Sequence, residues 1–166
     1  MKLSLQALAI VSMCCLATAC AAPTAGDEGS EGSEGSDETV ASTEDGLTVR
    51  GSFVSRGTAY YPDASPLEGG FVDRRGAKLR TLQQFLAGEA TYVSVAMDTN
   101  AFAYGQKLRI KELDAKYGRS IEFRVVDTGG AFRGKGRSRI DVCVKNRAAS
   151  FDATINGTLH IDILGP

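Results

Sequence analysis

Ile121-Glu-Phe-Arg-Val-Val-Asp-Thr-Gly-Gly130, followed by Ser138-Arg-Ile-Asp-Val-Cys-Val144, sets the frame for the chain. The residues up to Val126 are rich in β-branched and aromatic side chains and read as a strand, which Asp127-Thr-Gly-Gly130 closes in a turn. The alternation from Ser138 to Val144 reads as a second strand. Between them, Gly129-Gly130, Gly134 and Gly136 allow tight backbone paths, so this connection is expected to fold closely beside a site.

Working outward, β-type runs recur at Leu47 to Val54, Thr91 to Met97, Lys107 to Ile110, Ser120 to Val126, Arg139 to Val144 and Thr158 to Leu164. One helix is predicted from Leu79 to Ala87, where Leu79, Leu82, Phe85 and Leu86 share a face and Gly88 stops it. A second helical turn is expected near Lys111 to Tyr117. Residues 47–166 suffice for one domain with one core. Many short strands and few helices favour a closed or nearly closed barrel, which leaves no exposed sheet edges.

The other end of the chain reads differently. In residues 1–19, Lys2 precedes an apolar run from Leu5 to Leu16 and then Ala17-Thr-Ala19, which reads as an export signal and is too short to span a bilayer. The small residues ending at Cys20 resemble the lipobox of bacterial lipoproteins, although Ala17 stands where leucine is usual. That resemblance implies lipidation at Cys20, a membrane anchor, and a place in the cell envelope, in the periplasm or at the outer membrane. Ordinary secretion after Ala19 stays open. Residues 20–46 carry eight acids, no base and the imperfect repeat EGSEGSDE, the composition of a disordered tether.

From Leu47 onward the balance reverses to eighteen bases against twelve acids. A basic domain beyond an acidic leash suits an anionic polymer such as a cell wall; a merely solvated surface fits equally. Nucleic acid is not an expected partner, and a monomer is expected. Cys143, set in an apolar alternation, reads as a small core residue. His160 is the only histidine and has no second with which to build a zinc site.

Three carboxylates sit where apolar runs end or turn. Asp98 closes Tyr92-Val-Ser-Val-Ala-Met97, Asp127 closes the run before Thr128, and Asp141 lies inside Arg139-Ile-Asp-Val142. Gathered in one groove, such groups raise one another's pKa and can keep a carboxyl protonated as a general acid. Taken singly, Asp127 reads as a turn residue and Asp141 as a partner of Arg139 or Arg137.

Together they fit a pattern. Val126-Asp-Thr-Gly-Gly-Ala131, Gly134 and Arg139-Ile-Asp-Val142 resemble the signature of the "3D" (Asp-Asp-Asp) domain family. Ala96-Met-Asp98 with Phe102, Ala103 and Gly105 resembles the family's first-aspartate stretch, and Thr58-Ala-Tyr-Tyr61 its opening. The resemblance covers Ser55 to Leu164. Thr99 and Ala103 stand where prolines are usual, and Phe132-Arg-Gly-Lys-Gly-Arg-Ser138 is longer than the common form by about three residues, with the extra residues basic.

The resemblance implies a mainly β fold, a six-stranded double-psi β-barrel with one or two short helices, as in lytic transglycosylase A, expansins and family-45 endoglucanases. It implies cleavage of peptidoglycan glycan strands by a lytic transglycosylase without metal or cofactor. Asp141 would then be the catalytic acid, with Asp127 and Asp98 tuning it. Tyr60, Tyr61 and Tyr104 would stack on sugars, and Thr128, Gly129, Gly130 and Arg139 would complete the binding set. Two readings on the same barrel remain open: an expansin-like module that binds or loosens wall polysaccharide without catalysis, and a β-1,4-glucan hydrolase. Val125-Val-Asp-Thr-Gly129 also matches an aspartic-protease core, but its place in the last third of the chain is wrong for that family.

Overall fold

The computed structural model describes residues 47–64 and 70–165. The export signal expected at residues 1–19, the lipidation expected at Cys20 and the acidic stretch through residue 46 lie outside the described residues.

Six strands and two helices follow in order: β1 (Val49–Tyr60), α1 (Leu82–Leu86), β2 (Val93–Ala96), β3 (Gln106–Ile110), α2 (Lys111–Tyr117), β4 (Phe123–Asp127), β5 (Arg139–Cys143) and β6 (Thr158–Leu164). Their pairing order β1-β5-β2-β4-β3-β6 closes on itself through β6 and β1. The mainly β expectation holds, and every strand has two neighbours, so none presents an open edge. β1·β5 and β2·β4 are parallel and the other four pairs antiparallel.

Period-two alternation sorts the two faces. Val93 and Val95, Leu108 and Ile110, Phe123 and Val125, Ile140 and Val142, and Leu159 and Ile161 are all buried in one apolar cluster. The intervening residues, among them Ala96, Arg139 and Asp141, therefore face the other way. Leu82 and Phe85 of α1 close one side of this core. Thr81 caps that helix reciprocally: its hydroxyl accepts from the Gln84 N–H at 3.2 Å, while Gln84 Oε1 accepts from the Thr81 N–H at 2.9 Å. α2 ends at Gly118, whose φ of 62° is the left-handed stop that glycine favours. Cys143 is buried with its thiol pushed up to about 12, chiefly by desolvation, so it is an inert core residue as expected.

β1 runs further than its apolar stretch indicates. The sequence reading ends it at Val54, yet it continues through Arg56 and Gly57 to Tyr60 because it serves two partners in turn. Val49 to Arg56 pairs with β6, and Arg56 to Tyr60 pairs with β5. Gly57 is needed at the crossing, since a Cβ there would stand 2.2 Å from the Ile155 carbonyl oxygen and 2.4 Å from Leu159 Cδ1. Gly57→Ala is expected to lower stability by ~3 kcal/mol, the upper end for overpacking a core, because backbone must move. A fall in urea midpoint at unchanged slope measures it.

Candidate functional site

Thr58, Asp141, Ala96 and Asp127 lie in register across four adjacent strands, β1, β5, β2 and β4. A β-bulge shifts the β2·β4 register, so that Val95 pairs with Val125 and Ala96 with Asp127; the extra residue Val126 re-aims the aspartate that follows it. Asp141 and Asp127 thus flank one residue, two strand spacings or about 10 Å apart at the backbone. That spacing leaves room for a bond to be broken between two carboxyl groups.

Asp127 is half-buried. Its Oδ1 accepts from the Thr128 N–H at 2.9 Å and its Oδ2 from the Tyr60 hydroxyl at 3.2 Å. Desolvation raises its carboxyl above the usual range; the Thr128 and Tyr60 hydrogen bonds oppose the rise, the charge of Asp73 adds to it and that of Arg74 subtracts. Burial also pushes the Tyr60 phenol well up, so Tyr60 remains a donor.

Asp73 is a member of this group that the sequence reading missed. It sits on a small hairpin closed by the Val72 and Lys78 bridge and is only 5% exposed. Its Oδ1 accepts from the N–H groups of Arg75 at 2.8 Å and Ala77 at 3.0 Å, and its Oδ2 from the Tyr104 hydroxyl at 2.5 Å. The sign available was Asp73-Arg-Arg-Gly76, a turn-forming aspartate ahead of a glycine whose φ is 83°. The same turn delivers Arg74, whose Nη1 is buried without a hydrogen-bond partner among the described residues. Arg74 and Arg75 lie 5.4 Å and 4.0 Å from the Tyr104 ring centre.

The remaining expected site residues take distinct places. Asp141 stands with its Oδ1 3.8 Å from Arg139 Nε, an ion-pair distance, and its side chain is 16% exposed. Arg139 also lies over the Phe132 ring at 5.4 Å. Thr128 gives its N–H to Asp127, Gly129 packs beside the Phe132 ring, and Gly130 is open. Tyr60 meets Asp127 and Tyr104 meets Asp73, whereas Tyr61 packs against the core.

Asp98 is committed elsewhere. Its Oδ1 accepts from the Asn100 N–H at 3.0 Å and its Oδ2 from the Gly136 N–H at 2.9 Å, which fastens the basic loop carrying Arg133, Lys135 and Arg137. These backbone bonds, that from Gly136 first, hold its carboxyl below the usual range. Because the folded value lies below the unfolded one of about 3.9, this contribution is complete above roughly pH 4 and is lost as pH falls through the folded value. Asp98→Asn is expected to flatten the acid side of the melting temperature against pH between 2 and 6. An unchanged acid limb would show that the clamp does not matter.

Among the described residues, no group of three or more His, Cys, Asp or Glu side chains is arranged to hold a metal. What this face offers is a carboxyl whose hold on its proton is strengthened by burial and, across Ala96, a carboxylate ion-paired with Arg139. Comparison with known proteins matches the chain to no family model and to no curated protein.

Proposed function

We propose that this domain cleaves cell-envelope glycan, with peptidoglycan as substrate and lytic transglycosylation as the reaction. The carrying observation is the raised carboxyl of Asp127 in register, across Ala96, with Asp141. Glycosidic cleavage needs a proton at the leaving oxygen and negative charge near the oxocarbenium-like centre. Asp127 supplies the proton. Asp141, ion-paired with Arg139, supplies the charge. The carboxylate left on Asp127 then takes the proton of a sugar hydroxyl as that oxygen attacks the anomeric carbon, closing a 1,6-anhydro ring. The Arg74 charge lies close enough to Asp127 to favour the carboxylate left after proton transfer. This gives Asp127 the role that the motif resemblance gives to Asp141, because burial raises the Asp127 carboxyl. Asp98 shapes the loop and stays out of the proton transfer.

The barrel itself we read as a double-psi barrel, a reading supported by its two parallel pairs within a closed six-strand ring. The place proposed for the protein is the cell envelope, reached by the export signal and held there by lipid on Cys20. Purified sacculi and cellulose, incubated side by side with the protein and analysed by mass spectrometry, test the function. Anhydromuropeptides from sacculi alone are expected. Soluble glucan fragments would favour the β-1,4-glucan hydrolase, and tight polysaccharide binding without released fragments would favour the expansin-like module.

A further inference from the structure

A second feature lies at the base of the Asp73 hairpin. The hairpin that carries Asp73 and Arg74 at its tip has Phe71 and Lys78 at its base, held by the Leu79 N–H donating to the Phe71 carbonyl at 3.0 Å and the Asp73 N–H donating to Ala77 at 2.7 Å. There Phe71, Lys78, Leu79 and Lys145 line a cleft of about 240 Å³, with Pro62, Thr81 and Gln84 completing its described wall. Phe71 is 55% exposed, a large ring left uncovered. Pro62, in the cleft wall, follows by two residues Tyr60, whose hydroxyl bonds Asp127.

Among the cleft's described lining residues the charge is all of one sign. No carboxylate belongs to the described lining, and among the described residues neither the Lys78 nor the Lys145 ammonium has an ion-pair partner. The backbone at Lys145 is fixed, because its N–H donates to Gln83 Oε1 at 2.8 Å and the preceding Val144 N–H donates to the Tyr60 carbonyl at 2.8 Å. A ring face, two cations with no ion-pair partner among the described residues, and the polar Thr81 and Gln84 make a concave site with few, placed polar groups.

We infer that the cleft lined by Phe71, Lys78 and Lys145 is a binding subsite for a sugar ring that bears a carboxylate. The apolar face of the pyranose lies on Phe71, and its carboxylate meets the two ammonium groups. The volume suits one ring. The inference rests on the proposed function and deepens it by naming the sugar class held: in peptidoglycan this is a muramic acid freed of its stem peptide, because the peptide otherwise occupies the lactyl carboxyl as an amide.

The test is a titration of the isotope-labelled full chain with N-acetylmuramic acid and, separately, N-acetylglucosamine, which lacks the carboxylate, followed by backbone amide shifts. The acidic sugar is expected to move the amides of Phe71, Lys78, Leu79 and Lys145 and to bind at least about tenfold more tightly than the neutral one. That preference should shrink as salt is raised, since exposed charges are screened. The double variant Lys78→Gln with Lys145→Gln should erase the preference, and Phe71→Ala should weaken both sugars, each with the remaining amide spectrum unchanged. Equal binding of the two sugars, shifts confined to another face, or no shift with either would overturn the subsite. Monosaccharides contain no bond to cleave, so the outcome is independent of catalysis. If sacculi yield anhydromuropeptides but the acidic preference is missing, the subsite fails alone; the reverse pattern removes the cleavage reading and keeps the subsite.

Discussion

Asp127→Asn is expected to lower the release of anhydromuropeptides from sacculi by a factor of ~10²–10⁴, the range that a positioned general acid contributes. The same substitution should leave the melting temperature at neutral pH unchanged or higher. The sign follows from the raised carboxyl. A group whose folded pKa lies above its unfolded value contributes stability below about pH 4, and that contribution is lost as pH rises through the folded value. At neutral pH the wild type therefore carries a disfavoured charge that the neutral amide removes. Asparagine also keeps an acceptor for the Thr128 N–H, and the Tyr60 hydroxyl can turn to accept from its NH₂. Loss of activity with retained or increased stability is the mark of a residue held for chemistry. In the wild type, cleavage should fall on the alkaline side as Asp127 loses its proton, at a pH above the ordinary aspartate range.

Asp141→Asn should lower cleavage to a comparable extent and shift stability the other way. The substitution removes the carboxylate beside Arg139 and leaves the guanidinium without that ion pair. Arg139 Nε and Asp141 Oδ1 are both closed to solvent, so leaving the guanidinium nitrogen without its charged partner is expected to lower the melting temperature. The pH profile separates the two aspartates. If Asp127 carries the proton, residual activity of Asp141→Asn keeps the alkaline fall, whereas residual activity of Asp127→Asn loses it. The opposite pattern would return the acid role to Asp141, as the motif resemblance implies.

Much of the barrel was legible because its strands alternate. The runs at Lys107 to Ile110, Arg139 to Val144 and Thr158 to Leu164 lie within a residue of β3, β5 and β6, and the turn at Lys111 to Tyr117 is α2. The end of β1 was not legible. Arg56 and Gly57 look like a break, and only the closeness of Ile155 and Leu159 explains why glycine belongs inside that strand.

The site was legible in part for a similar reason. Asp127 and Asp141 were visible at the end of and within apolar runs, but the raised carboxyl of Asp127 depends on burial by distant segments. Asp98 looked like a third working carboxylate from its place after Met97; its partner Gly136 lies on a separate loop, so its clamping role exists only in the fold. Asp73 and Arg74 escaped notice because they ride on a hairpin turn outside every strand. Nothing in their local pattern places them beside Asp127.

The most direct measurement is mass spectrometry of the products from sacculi treated at neutral pH with wild type and with Asp127→Asn, both verified as folded by circular dichroism. The account predicts 1,6-anhydromuramyl products from wild type and a loss of at least about a hundredfold with Asp127→Asn. Folded wild type that releases no anhydro product, or an Asp127→Asn variant that releases as much as wild type, would contradict it.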